Sequence, residues 1–188
     1  MVVGVLTDEN GVTGVRYRTR DGATHEERCR LVVGADGMRS TVATLVDAPV
    51  VVDDPTLTCV YYAYWRGLRT GFELHETQDS FVGLIPTNDG LTVVAAYFPQ
   101  RDFETVRRDA RRSYMDQVRG TVRGLRDASD NRFDRLHGMG AQRNFFRKAY
   151  GPGWVLVGDA GHHKDSITAR GITDGFRQAE LLTERVTP

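Results

Sequence analysis

Two short loops, each placed directly after an apolar run, carry the aspartates best suited to chemistry in this chain. Asp36 lies in LVVGADG, and Asp159 lies in VLVGDAG. A carboxylate at the end of a buried strand is costly unless a partner satisfies it. That partner can be a metal ion, a reacting proton or a cofactor hydroxyl. The structural alternative is an ordinary strand-to-helix turn, in which the aspartate only caps the helix.

We predict neither a metal site nor a hydrolytic site at these loops. His162 and His163 are adjacent, so they point in different directions on a loop, and no H-x-x-x-H pair supports them. A serine hydrolase would need the G-x-S-x-G nucleophile turn, which the sequence lacks. Ser40 is therefore interpreted as a hydroxyl of the turn that enters a helix.

The repetition of one loop plan favours a cofactor. Two strands deliver Asp36 and Asp159 to the carboxyl edge of a parallel sheet, where ligands bind in open α/β folds. Flanking glycines allow a ligand to approach the backbone closely. An ionised aspartate accepts hydrogen bonds from sugar hydroxyls, and the N-terminus of a following helix attracts phosphate. The pair indicates a large, polyhydroxylated and phosphorylated cofactor.

The elements around these loops are predicted to be strands followed by helices. Residues 2–35 read as a β-meander that runs into a buried strand at Leu31–Val33, an apolar run typical of a strand covered on both faces. MRSTVATLV then reads as a short helix. After residue 154 a second apolar strand precedes a last helix, whose apolar stripe is Ile172, Phe176, Ala179, Leu182 and Val186.

The middle of the chain predicts an antiparallel sheet and a helix. Four strand-like runs, rich in aromatic and β-branched residues, lie between residues 56 and 99, with a tight turn at Asn88–Gly90. Asp102 is predicted to cap one helix whose stripe is Phe103, Val106, Ala110, Tyr114 and Val118. The predicted class is α/β: residues 1–50 and 141–188 form one domain, interrupted by a sheet domain at 51–140.

The composition excludes several functions. The 188 residues carry 25 basic and 25 acidic side chains, so no net field attracts nucleic acid or anionic lipid. No apolar run approaches the roughly 18 residues of a membrane span, and the short apolar run after Met1 lacks the basic segment of a signal peptide. Two cysteines make neither a disulfide framework nor a zinc site. We expect a cytoplasmic protein with no nucleic-acid or membrane partner.

The two motifs resemble those of a known family. GADGMRS at 34–40 is similar to the Asp-Gly motif of class A FAD-dependent monooxygenases, the para-hydroxybenzoate hydroxylase-like family, and residues 155–182 are similar to its Gly-Asp motif and following helix. The order of the motifs, the inserted sheet and the G-x-I-P strand at Gly83–Pro86 also match. The resemblance implies a partial FAD/NAD(P)-binding domain of the glutathione-reductase-like Rossmann type, interrupted by an antiparallel-sheet α+β substrate domain.

The resemblance also implies a cofactor and its contacts. FAD would be bound and NAD(P)H would be the co-substrate, with Asp159 on the ribityl chain, Gly171 and Ile172 beside the pyrimidine edge of the flavin, and Asp36 and Gly37 near the pyrophosphate. The residues so assigned are Asp36, Gly37, Gly158, Asp159, Ala160, Gly171 and Ile172.

The implied reaction is the hydroxylation, with O2, of a small aromatic or polycyclic substrate. Reductases and halogenases of the same fold remain alternatives, as does a truncated remnant without catalytic activity. Candidate substrate-lining residues on the inserted sheet are Tyr61, Tyr62, Tyr64, Trp65 and Phe81. Because side chains alternate along a strand, only about half of them can face one side.

One departure from the family changes the expectation for this chain. The family begins with a β-α-β unit that carries G-x-G-x-x-G for the ADP moiety, and the sequence has no such motif. We therefore expect a fragment of a longer enzyme. The strands at residues 31–35 and 154–158 are expected to leave open sheet edges, through which the chain associates.

Overall fold

The computed structural model describes residues 1–129 and 132–186, and the chain forms two compact units. The first unit combines Met1–Pro55 with Arg143–Pro188, and the second is Thr56–Gln142. The sequence placed the first boundary near residue 50; it lies at Pro55 because residues 50–54 form a strand that pairs within the first unit. No helix in the described ranges is long and apolar enough to cross a bilayer.

The described ranges contain both strands and helices. They are β1 (Val2–Asp8), β2 (Gly11–Arg18), β3 (Thr24–Arg28), β4 (Val32–Gly34), α1 (Thr41–Leu45), β5 (Val50–Asp54), β6 (Thr58–Arg66), β7 (Glu73–Thr77), β8 (Ser80–Pro86), β9 (Leu91–Pro99), α2 (Phe103–Arg108), α3 (Ala110–Thr121), β10 (His137–Met139), β11 (Asn144–Arg147), β12 (Tyr150–Gly151), β13 (Trp154–Leu156), β14 (His162–His163) and α4 (Gly171–Val186).

Three small sheets build the first unit. Strands β1, β2 and β3 form the expected meander, and β11 lies between β14 and β5. In the third sheet β13 pairs in parallel with β4, with Trp154 opposite Val32, so both aspartate loops leave the same edge. Seven buried side chains of this unit form an apolar cluster: Val12, Val32, Val42, Ala43, Trp154, Leu156 and Ala160.

Two apolar surfaces of the first unit are exposed. The sequence predicted that β4 is covered on both faces, but Val33 is 47% exposed, whereas Val32 and Gly34 on either side of it are buried. The reason is that side chains alternate between the two faces of a strand, and only the Val32 face of β4 packs on the apolar cluster. Helix α4 has no buried residue, and the first residues of its predicted stripe, Ile172 and Phe176, are 78% and 75% exposed.

A five-stranded antiparallel sheet, in the order β10-β6-β9-β8-β7, forms the second unit together with α2 and α3. One face of the sheet packs on α3 through Trp65, Tyr114 and Phe133. The Trp65 indole N–H donates to the Tyr114 hydroxyl at 2.8 Å, and that hydroxyl donates to the Val94 carbonyl at 3.0 Å. The indole N–H of Trp65 and the hydroxyl of Tyr114 are thus both satisfied, as burial requires.

The single helix predicted after Asp102 is two helices. Asp109 has φ −140° and ψ 70°, which ends α2, and its carboxylate accepts the Arg112 N–H at 3.2 Å to cap α3. Asp102 makes no side-chain capping bond. The prediction was wrong because Val106, Tyr114 and Val118 are buried in the same core, so the apolar pattern continues across the break.

Candidate functional site

The first aspartate loop is built around the start of a helix. The Asp36 carboxylate accepts the Thr41 N–H at 2.7 Å, the Val42 N–H at 3.1 Å and the Ser40 hydroxyl at 2.5 Å. Ser40 in turn caps α1 by accepting the Ala43 N–H at 2.9 Å. Partial burial opposes ionisation of Asp36, but these hydrogen bonds outweigh it and lower the pKa of the carboxyl. Its carboxylate therefore stabilises α1.

Asp36 is expected to contribute to acid sensitivity. Because its pKa is lowered in the folded chain, its contribution to stability is complete above the unfolded pKa of about 3.9 and is lost as pH falls through the folded pKa. Between pH 5.5 and pH 3, the free energy of unfolding in urea should fall less for Asp36→Asn than for the wild type. Asp47→Asn, at an exposed position, is the control. Equal pH slopes in all three proteins would contradict this role.

The second aspartate loop follows β13 and is held differently. Gly158 has φ +63°, a left-handed conformation that favours glycine, and Gly158–Ala160 form one short 3-10 turn. The Gly158 N–H donates to the Gln178 side-chain carbonyl at 2.6 Å. Within the described part of the chain, the half-buried Asp159 carboxylate has no hydrogen-bond or ion-pair partner. Unlike Asp36, it is free to bind a ligand.

An open cavity of about 560 Å³ brings most of the predicted site residues together. Its lining consists of Ala35, Gly37, Val157, Gly158, Asp159, Gly171, Ile172, Gly175, Phe176 and Ala179. Two predicted residues are not in this lining. Asp36 lies at the start of α1, and Ala160 is fully buried in the apolar cluster.

The lining fits the flavin and ribityl part of FAD. A Cβ added at Gly37 would meet no atom within 4 Å, and one at Gly171 would lie 3.8 Å from Asp159 Oδ1, so the glycines leave open space around an unpartnered carboxylate. Asp159 can accept hydrogen bonds from sugar-like hydroxyls. Ile172 and Phe176 provide an apolar surface for a ring, and the N-terminus of α4 favours negative charge nearby.

The two histidines of the loop lie on opposite faces of β14. His162 stacks on Phe146, with ring centroids 5.2 Å apart, and His163 stacks on Phe145 at 6.1 Å. His163 Nδ1 also bonds the Arg143 carbonyl. In the described ranges, no group of three or more His, Cys, Asp or Glu side chains is arranged to hold a metal ion.

A polar network beside the loop was not predicted. Lys164 Nζ lies 2.5 Å from Asp174 Oδ2, and His162 Nε2 lies 3.8 Å from the same oxygen. The hydrogen bond from Lys164 lowers the pKa of Asp174. Gln178 joins this network, and all four side chains line a second cavity of about 780 Å³. The only signal in the sequence was the four-residue spacing of Asp174 and Gln178, which places them on one face of α4.

The structure divides the candidate substrate-lining residues between the two faces of the β6–β9 sheet. Trp65 and Tyr61 pack into the core beside α3. Tyr62 and Tyr64 lie on the other face, where the Tyr62 ring stacks on His137 at 5.0 Å and the Tyr64 ring meets it edge-on at 6.2 Å. Phe81 packs edge-on against Tyr97, its neighbour on β9. This second face of the second unit is a partly exposed aromatic surface.

Solved structures of flavin enzymes have the same fold. The flavin-dependent brominase Bmp2 superposes with a TM-score of 0.79 at 18% identity, covering 95% of this chain and 47% of that one. PqsL, a probable FAD-dependent monooxygenase from Pseudomonas aeruginosa, gives 0.76 at 21% identity over 97% and 52%. The myxobacterial chondrochloren halogenase CndH gives 0.77 at 22% identity over 97% and 44%. The chain thus spans about half the length of these proteins.

A family model shows the family to which this chain belongs. No curated protein sequence matches this chain. The model described as FAD binding domain matches residues 1–185, nearly the whole length. This match agrees with the resemblance of the two aspartate motifs. The chain therefore belongs to the FAD binding domain family, and its structural neighbours include a probable FAD-dependent monooxygenase and FAD-dependent halogenases.

Proposed function

We propose that this chain is the flavin-binding and substrate-binding part of an FAD-dependent monooxygenase that hydroxylates a small aromatic or polycyclic compound with NAD(P)H and O2. The observation that carries the proposal is the unpartnered Asp159 carboxylate in a glycine-lined cavity at the start of α4. The aromatic face of the sheet, with Tyr62, Tyr64 and His137, supports an aromatic substrate. Both cysteines are free thiols, which suits a cytoplasmic location.

Bound FAD would supply the acceptance of hydride from NAD(P)H and the activation of oxygen. The chain's own residues bind and orient it. Asp159 accepts hydrogen bonds from the ribityl hydroxyls, and the N-terminus of α4, beginning at Gly171, stabilises negative charge on the ring. Ile172 and Phe176 cover the ring with apolar surface and keep water away from it. Gly37 and Gly158 let the cofactor approach the backbone.

Flavin analogues test the role assigned to Asp159. Asp159→Asn should weaken riboflavin binding about tenfold or more, because a charged acceptor of hydroxyl hydrogen bonds is lost. Binding of lumiflavin, which has the ring but no ribityl chain, should not change. Asp47→Asn removes the same charge at an exposed site and should leave both affinities unchanged. Equal weakening of the two flavins by Asp159→Asn would contradict the assignment.

Activity separates the remaining alternatives. For the monooxygenase, aromatic candidates should stimulate NAD(P)H oxidation and be recovered with an added hydroxyl. Oxidation of NAD(P)H without product hydroxylation would identify a reductase, and halide-dependent product formation would identify a halogenase, an activity of the structural neighbours Bmp2 and CndH. A purified chain that binds neither FAD nor riboflavin would refute the proposal in favour of a remnant without flavin.

A further inference from the structure

Gln178 connects helix α4 to the second aspartate loop through both ends of its amide. Its Oε1 accepts the Gly158 N–H at 2.6 Å, and its Nε2 lies 2.8 Å from His162 Nδ1. Gly158 comes directly before Asp159 and has a left-handed φ of +63°. The amide therefore ties the backbone of the proposed flavin loop to a helix and to a second side chain.

The partners of this amide determine its orientation. A backbone N–H can only donate, so the atom that faces Gly158 must be the oxygen of Gln178. The NH2 group then faces His162, and because NH2 can only donate, Nδ1 of the imidazole must accept. The proton of neutral His162 is consequently on Nε2, the atom that lies 3.8 Å from Asp174 Oδ2. The Gly158 N–H thus donates to Gln178, and the NH2 group of Gln178 donates to His162.

The surroundings hold His162 in place for this contact. The ring stacks on Phe146 with an interplanar angle of 11°, and the side chain is 13% exposed. The nearby carboxylate of Asp174 forms ion pairs with Lys164 and Arg170. Two further charged side chains, Arg147 and Arg177, line the same cavity as His162. A stacked, partly buried imidazole gives the amide a fixed acceptor.

We propose that Gln178 is a positioning residue that, with His162, holds the Gly158–Asp159 loop in the conformation that binds the flavin. This inference rests on the proposed function. Without the amide, the Gly158 N–H loses its acceptor, and the turn that presents the Asp159 carboxylate to the cavity is free to change. Gln178 acts through the loop and is not in the lining of the glycine-lined cavity.

Two substitutions at one position separate positioning from simple packing. Gln178→Leu keeps the size of the side chain and removes both hydrogen bonds. In the ligand-free chain, the Gly158 amide proton should exchange about tenfold faster in NMR, and riboflavin affinity should fall about threefold to tenfold. Gln78→Leu, in an exposed turn of the second unit, is the matched control and should change neither quantity.

Gln178→Glu should keep the loop conformation and change the tautomer of His162. A carboxylate can accept from Gly158 N–H with one oxygen and from His162 with the other, so Gly158 exchange and riboflavin affinity should stay within about twofold of the wild type. The 15N chemical shifts of His162 should show that its proton has moved to Nδ1. A role in packing alone predicts no such change.

The readouts distinguish the inference from the proposed function. Unchanged Gly158 exchange in a folded Gln178→Leu variant overturns the positioning role, and faster exchange with wild-type riboflavin affinity overturns its link to the ligand. Circular dichroism verifies folding, and Gln178→Asn, whose amide is too short for both partners, replaces a leucine variant that does not fold. A wild-type chain without riboflavin affinity overturns the proposed function. In that case the exchange rate of Gly158 and the tautomer of His162 still test whether Gln178 holds the loop.

Discussion

Trp65→Ala should lower the free energy of unfolding by about 3–5 kcal/mol, the range for large-to-small changes in a packed core. Trp65 is fully buried, stacks on Phe133 at 5.9 Å and donates to the Tyr114 hydroxyl. Its removal leaves a cavity, and the Tyr114 hydroxyl oxygen loses its hydrogen-bond donor. Since domains are stable by only about 5–15 kcal/mol, the loss should bring the second unit close to unfolding.

Tyr64→Ala is the matched control for this prediction. Tyr64 is the preceding residue on β6, but it lies on the opposite face and is 43% exposed, so the loss should stay below about 1 kcal/mol. Urea titration followed by far-UV circular dichroism measures both variants. In Trp65→Ala the remaining tryptophan, Trp154, belongs to the first unit, and its fluorescence reports on that unit separately. Similar losses in the two variants would contradict the assignment of the faces.

Gly153→Ala should destabilise the first unit by about 3 kcal/mol or more, through backbone strain combined with a steric clash. Gly153 has φ +77°, and an added Cβ would lie 1.9 Å from the Val12 carbonyl oxygen. The clash is with backbone rather than with a movable side chain. The turn is also fixed by hydrogen bonds, since Pro152 accepts from Val12 and Gly153 accepts from Val32.

Gly67→Ala isolates the contribution of the dihedral angle. Gly67 has nearly the same φ, +66°, but an added Cβ would meet no atom within 4 Å. Only the left-handed penalty of about 1–2 kcal/mol then applies. Urea unfolding of the two alanine variants measures the difference, which is assigned to the contact with Val12. Equal losses would show that the backbone moves aside at little cost.

The different roles of Asp36 and Asp159 show how far the sequence predicts the site. Both aspartates were predicted to bind cofactor, yet of the two only Asp159 lines the cavity. The hydrogen bonds of each carboxylate account for the difference. The Asp36 carboxylate accepts the first N–H groups of α1, whereas the Asp159 carboxylate lies close to Gly171 at the start of α4 but has no hydrogen-bond partner in the described part of the chain. The two similar motifs did not reveal this difference in the sequence.

Other features required the folded chain. Strand alternation predicted that about half of the aromatic residues from Tyr61 to Phe81 share a face, but only the packing of α3 identifies the buried half. The break at Asp109 is a change in backbone dihedral angles, and the spacing of apolar residues along the sequence does not reveal such a change. The bond between Gln178 and Gly158 joins residues 20 positions apart, and no local pattern predicts it.

The connection to the inserted unit has a consequence for how such enzymes diversify. The chain leaves the first unit after β5 and returns at β11, and these strands pair directly, with Asn144 opposite Asp54. The host fold thus needs only that two neighbouring chain ends be joined. Because the entropic cost of joining them grows slowly with the length of the segment between them, Thr56–Gln142 can be lengthened, shortened or exchanged at little cost to the two aspartate loops. Under the proposed function, substrate preference can then change through the inserted unit without a change in the loops of Asp36 and Asp159.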